Sequence, residues 1–514
     1  MGKSEEFKQH IELGYTFKGD SIVLGTGILE NEPISNTQIK IPLKTFNRHG
    51  LIAGATGTGK TKTLQVIAEQ LSLNGVPSVL MDLKGDLSGM AKPGTLNSHI
   101  EKRSSLIGVE YQPEGLPVEL MSISNEKGVK LKATVSEFGP VLISQILELN
   151  DTQRGVIALV FRYCDTHHLP LLDLRDLKKV LQYVINEGKA EIMKEYGAVS
   201  PATVNTIMRK IIELEQQGAE NFFGELSFEV DDFVRTVDGK GVVSIIRLTD
   251  IQNRPKLFST FMLSLLSEIY ETFPEQGDSD KPKLCLFIDE AHLVFSNASK
   301  DLIDKIEAIV KLIRSKGVGV YFCTQTPTDV PDNVLGQLGL KIQHSLRAFT
   351  AKDRKAITKT AENYPLSTFY KTSEVLTSMG IGEALVTVLN EKGIPTPLAH
   401  TLLRAPISRM DILTDSEIEQ LVSQSSLVKK YNVSIDRKSA FEILDQKITA
   451  AEEAAQQQKL PTARGNTRTQ SRTPKETSMF DDLSKNTMVR QIGRTIFREL
   501  TRGIMGSLSG KKRR

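Results

Sequence analysis

The densest chemistry in the sequence lies in eight consecutive residues, Gly54-Ala55-Thr56-Gly57-Thr58-Gly59-Lys60-Thr61. They satisfy the pattern GxxxxGK[ST], which suits a triphosphate for a physical reason. Glycines let successive backbone N–H groups turn inward at phosphate oxygens, and a helix starting at the lysine adds its positive dipole end. Lys60 then reaches the β- and γ-phosphates while the Thr61 hydroxyl ligates Mg²⁺. Residues 54–61, with Lys62 adjoining, are therefore the expected site for ATP and Mg²⁺. The bland alternative is an accidental Gly-rich turn. Against it stand the apolar run 49–55 before the loop and the helical spacing of Leu64, Ile67, Ala68 and Leu71 after it.

A second constellation fits the first. Leu284-Cys285-Leu286-Phe287-Ile288 reads as a buried strand ending in Asp289-Glu290. Asp289 is expected in the Mg²⁺ shell, and Glu290 as the group that polarises an attacking water. The strand 318–324 ends at Gln325, where a polar side chain beside the acidic pair could sense the γ-phosphate. The competing reading of Gln325 is a polar turn before Pro327. Transfer of a γ-phosphoryl group also needs positive charge opposite it, commonly from a neighbouring subunit. Arg314 is the first candidate, with Arg347 and Arg354 behind it, although an arginine on a helix is more often a surface charge. The tetrad Asp289-Glu290-Ala291-His292 has the letters of a DEAH box. The gap from Lys60 is about twice what that motif set allows, and its downstream motifs are missing, so His292 is read as a packing or hydrogen-bonding residue.

The elements that must hold these groups follow from periodicity and breakers. Strand 49–55, phosphate loop, helix 60–73, stop at Gly75 and Pro77, then strand 78–83 make a βαβ unit. Strands at 241–248, 284–288, 318–324 and 384–389 alternate with helices at 255–273 and 299–316. The chain divides as an N-terminal β element (1–45), a first core segment (46–94), a mostly helical insertion (95–238), a second core segment (239–408) and a helical extension (409–449). A disordered linker (450–487) and a basic amphipathic helix (488–514) complete it.

Composition sets outer bounds. A chain of 514 residues with 39% hydrophobic and 25% charged residues is long enough for a large α/β core plus a further unit. Cys164, Cys285 and Cys323 are far apart in sequence and show no CxxC or Cys/His pairing, which disfavours a disulfide framework or a zinc site. The N-terminus has no apolar export segment and no run is long enough to span a bilayer, so a cytoplasmic protein without membrane insertion is expected. The net charge of +3 is uneven: residues 461–514 carry 13 Lys/Arg against 4 Asp/Glu, leaving the body acidic. Within 488–508, Arg490, Arg494, Arg498 and Arg502 form an i, i+4 row. That helix is open to three readings: a DNA-phosphate clamp, a membrane or partner anchor, and a helix docking on the protein's own body.

Taken together, GATGTGKT, VLMDLKGDLSG, LCLFIDEAHLVF, RSKGVGVYFCTQTPTDVPDNVLGQLG and ALVTVL…PTPLAH resemble the HerA/FtsK group of P-loop ATPases, and within it the HerA-like YjgR-type proteins. The resemblance covers roughly 20–94 and 240–408, plus the Arg-rich final helix. It implies an α/β fold of a RecA-like P-loop NTPase sheet, with the large helical insertion and short N-terminal β element noted above. It also implies Mg-dependent ATP hydrolysis, homo-oligomeric, hexameric rings with an arginine supplied in trans, and action on double-stranded DNA. By the same resemblance Lys84 and Asp86 line the site, a strand-end turn being the equal alternative. An N-terminal element of only about 45 residues precedes the core segment that carries the phosphate loop, shorter than HerA-type pumps usually have. A nucleotide-gated scaffold or signalling ATPase that moves no nucleic acid uses the same site residues.

Overall fold

The computed structural model describes residues 2–277, 279–295, 300–433, 435 and 437–458. These form two compact units: one comprises the described residues up to Ala133 together with Glu213–Ile435, the other Thr134–Ile212 and the described residues from Arg437 onward.

The first unit is built on a sheet of twelve strands. In chain order they are β1 (Ser21–Leu29), β2 (Glu32–Pro42), β3 (Gly50–Ala53), β4 (Ser78–Asp82), β5 (Val118–Ser122) and β6 (Val129–Lys130). A separate hairpin of β7 (Thr236–Val237) and β8 (Lys240–Gly241) follows. The main sheet then continues with β9 (Val243–Arg247), β10 (Leu284–Ile288), β11 (Val318–Thr324), β12 (Leu340–Gln343), β13 (Glu383–Thr387) and β14 (Ala399–Leu403). Across the sheet the order is β2-β1-β14-β13-β12-β3-β11-β10-β4-β9-β5-β6. From β12 to β6 all neighbours run parallel; from β12 to β2 all run antiparallel.

Parallel strands are covered on both faces, and their sequences show it as unbroken apolar runs. Every residue of β3, β4, β10 and β11 is buried. On one face Leu64, Ile67, Ala68 and Leu71 of the helix Lys60–Leu73 pack in a single core with Ile52, Leu80, Ile245, Phe287 and Tyr321. Their alternates Ile246, Leu286, Val320 and Phe322 point the other way and are buried too. This double coverage holds the parallel strands rigidly in register, so their C-terminal ends form a fixed rim.

Several elements differ from the sequence reading. Lys3–Tyr15 is a helix, with Phe7, Ile11 and Tyr15 buried and the Tyr15 hydroxyl donating to the carbonyls of Val386 (3.0 Å) and Pro397 (2.7 Å). The β1–β2 hairpin turns at Glu30 and Asn31, both with positive φ (51° and 68°), as a two-residue hairpin loop demands. It does not stand apart as a separate N-terminal element, because β1 pairs with β14 and extends the main sheet. The stretch 95–238, read as mostly helical, supplies β5, which sits in the sheet beside β9. Strands β12 and β14 also lie where no strand was expected.

The second unit is helical: Val135–Ile146, Asp151–Thr166, Leu174–Ile185, Lys189–Glu195, most of Pro201–Gln216, and Ala440–Gln458. Thr134, Asn150 and Asp173 each cap a helix reciprocally with the residue three positions on. The helix Ala440–Gln458 joins it through Phe441 N–H donating to Asp176 (2.9 Å) and Lys179 pairing with Asp445 (2.8 Å). Residues 450–458, read as the start of a linker, are therefore helical; the remainder of that linker and the basic helix 488–514 lie outside the described residues.

Candidate active site

The phosphate loop begins where β3 ends and is moored to both neighbouring strands. Gly54 N–H donates to the carbonyl of Thr324 at the end of β11 (3.2 Å), and Ala55 N–H to that of Ser345 just beyond β12 (2.9 Å). Gly59 caps the following helix at φ 112°, a conformation that favours glycine. Lys60 is buried, 6% exposed, and its ammonium crosses the loop to the carbonyls of Gly54 (2.7 Å) and Ala55 (3.1 Å). Burial first, then repulsion from Lys84, lowers its pKa below the usual lysine range. Thr56 and Gly57 form the exposed tip. Thr58 closes the loop through its hydroxyl to Ala55 (2.7 Å), and its carbonyl accepts Gly382 N–H (3.1 Å). Thr61, second residue of the helix, is partly exposed. The Lys62 ammonium is turned away, to the Met410 carbonyl (2.6 Å) and Gln65 (3.2 Å).

One residue under the loop had no local signal. His344 ends the path of β12, and its Cβ lies 2.5 Å from where a Cβ on Gly54 would stand. Its Nε2 meets the Thr63 hydroxyl at 3.0 Å. Burial, with repulsion from Lys60, pushes it down to about 4, so it is a neutral prop for the loop. Only the pairing of β12 with β3 brings it there.

The acidic pair follows β10, which lies between β11 and β4. Asp289 is 2% exposed, and its Oδ2 has no hydrogen-bond partner. Burial pushes its carboxyl up to about 7, with Lys84 pulling the other way and Glu290 adding to the rise. Glu290 adopts φ 48°, uncommon for a side chain of this size, and so swings out of the strand line. Its Oε1 is paired with the Lys84 ammonium. Its Oε2 lies 3.1 Å from His292 Nδ1 without hydrogen-bond geometry.

Lys84 reaches this point because of a tight turn after β4. The Asp82 carboxylate accepts N–H bonds from Gly85 (2.7 Å) and Leu87 (3.1 Å), and Gly85 turns at φ 77°. Burial and neighbouring Asp86 push Asp82 up to about 6. Asp86 carries a buried Oδ1 without a partner.

Gln325 leaves β11 at the level of both halves of the site, since Thr324 O accepts Gly54 N–H and Cys323 O accepts Ala291 N–H (2.8 Å). It is exposed there. Arg347 also stands at the loop, its guanidinium 3.5 Å from the Thr56 carbonyl. Arg354 is exposed on the helix Ala351–Glu362. Arg314 is elsewhere: it precedes the first residue of β11, at the opposite rim of the sheet, about 20 Å along the strand from Gln325. There it lines an open groove of about 470 Å³ with Lys44, Lys311, Glu275 and Glu391.

The donor set suits Mg²⁺. No group of three His, Cys, Asp or Glu that could hold a metal occurs among the described residues. A cation here must take few protein ligands and complete its shell from phosphate and water, as Mg²⁺ does. Asp289 Oδ2, buried and unpartnered, and the Thr61 hydroxyl at the helix start are the groups that would hold it.

The family description "Helicase HerA-like C-terminal" matches residues 28–514. The chain belongs to that family. It is a P-loop ATPase of the HerA/FtsK kind. Among curated relatives, the DNA double-strand break repair helicase HerA of Sulfolobus acidocaldarius is 22% identical over 398 residues, 73% of this chain and 69% of that protein. The helicase of the same name from Saccharolobus solfataricus is 23% identical over 376 residues, 68% of this chain and 64% of that protein. Among solved structures, the unbound bacterial conjugative coupling protein TrwB superposes with TM-score 0.51 at 14% identity, covering 79% of this chain and 94% of that one. TrwB in complex with ADP and Mg²⁺ matches with TM-score 0.50 at 14% identity, over 79% and 94%. These likenesses establish the fold. Among the described residues no helix is long and apolar enough to cross a membrane.

Proposed function

We propose that this HerA-like protein is a Mg-dependent ATP hydrolase that works in the cytoplasm as a homo-oligomeric ring, a hexamer, on double-stranded DNA. The observation that carries the hydrolytic reading is the meeting of Lys60, Asp289 and Glu290 at one rim of the parallel strands, buried and with carboxylate oxygens left unpaired. Backbone N–H groups of residues 54–61 would cradle the phosphates, and Lys60 would exchange the carbonyls of Gly54 and Ala55 for β- and γ-phosphate oxygens. When bound at Thr61 and Asp289, Mg²⁺ supplies charge neutralisation on those oxygens. Glu290 accepts a proton from water, the water oxygen bonds to the γ-phosphorus, the bond to the β–γ bridging oxygen breaks, and ADP and phosphate leave. Gln325 orients that water from the end of β11.

The ring reading is supported by Arg314. It stands at the rim away from its own phosphate loop, so any part it takes in catalysis is at a neighbour's site. The DNA reading is supported by the DNA helicases among the relatives. The test measures phosphate release by the full chain with and without double-stranded DNA, alongside its mass in Mg-ATP. A DNA motor shows a rate raised several-fold by DNA and a ring-sized particle. A rate indifferent to DNA removes the motor and leaves a nucleotide-gated scaffold, and a strict monomer removes the trans arginine.

A further inference from the structure

The pairing of Lys84 with Glu290 uses a cation that the reaction scheme above leaves without a task. Its geometry is asymmetric. Glu290 is fixed, its side chain 10% exposed at the end of a strand held from both sides, whereas the Lys84 side chain is 37% exposed on a turn. The turn is rigid at its base, because Asp82 takes the N–H groups of Gly85 and Leu87. Only the long aliphatic arm of Lys84 is left to move. The register of β4 and β10, Met81 opposite Ile288, carries Lys84 past Asp82 and Leu83 to the side of Glu290. Lys60 feels the Lys84 ammonium as its principal charged neighbour, so both cations face the same space. That space is where the outermost phosphate of a bound triphosphate must sit, between the lysine of the loop and the acid pair.

We propose that Lys84 is a nucleotide-exchanged clamp: it holds Glu290 when no γ-phosphate is present and moves to the γ-phosphate when ATP binds, releasing the carboxylate to take the proton from water. The idea rests on the hydrolytic reading and deepens it. A carboxylate tied to an ammonium is a poor base, and a dianionic terminal phosphate outcompetes a single carboxylate for the same cation. ADP has no γ-phosphate and leaves the clamp shut. The chain thereby distinguishes the two nucleotides through one side chain, and water activation is withheld until the phosphate to be attacked is in place.

The clamp is tested on the full chain by equilibrium binding of ADP and of a non-hydrolysable ATP analogue to the wild type, Lys84→Met, Glu290→Gln and the double variant. Glu290→Gln removes the competitor for Lys84 and raises the preference for the triphosphate over ADP by ~10-fold. In the Lys84→Met background the same substitution leaves that preference unchanged. Lys84→Met alone lowers the preference and cuts kcat by on the order of 10²-fold, with ADP affinity kept as the sign of an intact fold; Lys84→Arg recovers part of both. Equal gains from Glu290→Gln in both backgrounds, or a Lys84→Met protein with wild-type kcat, overturn the clamp. A wild-type protein that binds but never hydrolyses ATP instead overturns the hydrolytic reading, so the two failures are told apart.

Discussion

The two rims of the parallel sheet differ in burial. At the C-terminal rim Lys60, Asp289 and Glu290 are each at most 8% exposed, and burial displaces the ionisation of Lys60 and Asp289. At the N-terminal rim Arg314 shares an open groove with Lys44, Lys311, Glu275 and Glu391, where water screens each charge. The first rim is a buried, polar chamber. The second is a surface whose charges gain strength only when something covers them. One strand, β11, joins the two, with Gln325 at one end and Arg314 before the other.

The sharpest way to break this contrast is at Arg314. Arg314→Ala should lower kcat by about 10³-fold while nucleotide affinity stays near wild type, because the residue serves a site on another copy. Mixing it with Glu290→Gln protein should restore part of the activity, since some interfaces in mixed rings then hold both residues. No recovery in the mixture would return Arg314 to a role within its own chain. Gln325→Ala, at the other end of the same strand, should cost about 10²-fold in kcat with little change in KM, as expected for a group that places water. A KM effect alone would make it a binding residue instead.

A smaller effect tests the bracing of the buried rim. Glu69, on the helix behind the phosphate loop, accepts the N–H groups of Ile407 (2.9 Å) and Ser408 (3.0 Å) in a buried setting. Glu69→Ala leaves both donors without an acceptor and should cost about 2 kcal/mol, read from the denaturant midpoint. An unchanged midpoint would show that the segment 407–413 is not fastened there. A pH dependence follows from Asp289. Its folded carboxyl titrates at about 7, above the ordinary aspartate range, so between pH ~4 and ~7 the folded chain holds a proton that the unfolded chain releases. Stability of the nucleotide-free protein should therefore fall as pH rises through that window, by at most ~1.4 kcal/mol per pH unit. Asp289→Asn should flatten the slope; an identical slope in that variant would place the proton elsewhere.

The sequence reading reached the loop and the acid pair because both are local. A phosphate cage is made from consecutive backbone amides, and an acid at a strand end follows its own apolar run. It missed β5, β12 and β14 for the opposite reason. Val118–Ser122 and Leu340–Gln343 are only five and four residues long and are broken by Glu119, Lys341 and Gln343, too short for periodicity to settle, and their neighbours in the sheet make them strands. His344 was invisible on the same grounds, since its place under Gly54 depends on which strand lies beside β3.

By itself the sequence pointed to a phosphate loop at 54–61 and to the acid pair Asp289 and Glu290, because each is set by spacing along its own short stretch of chain. The tertiary structure alone decided that Lys84 closes on Glu290 and that Arg314 stands at the far rim. Both depend on the order and direction in which β4, β10 and β11 pair, and strand order is fixed by packing among residues hundreds of positions apart.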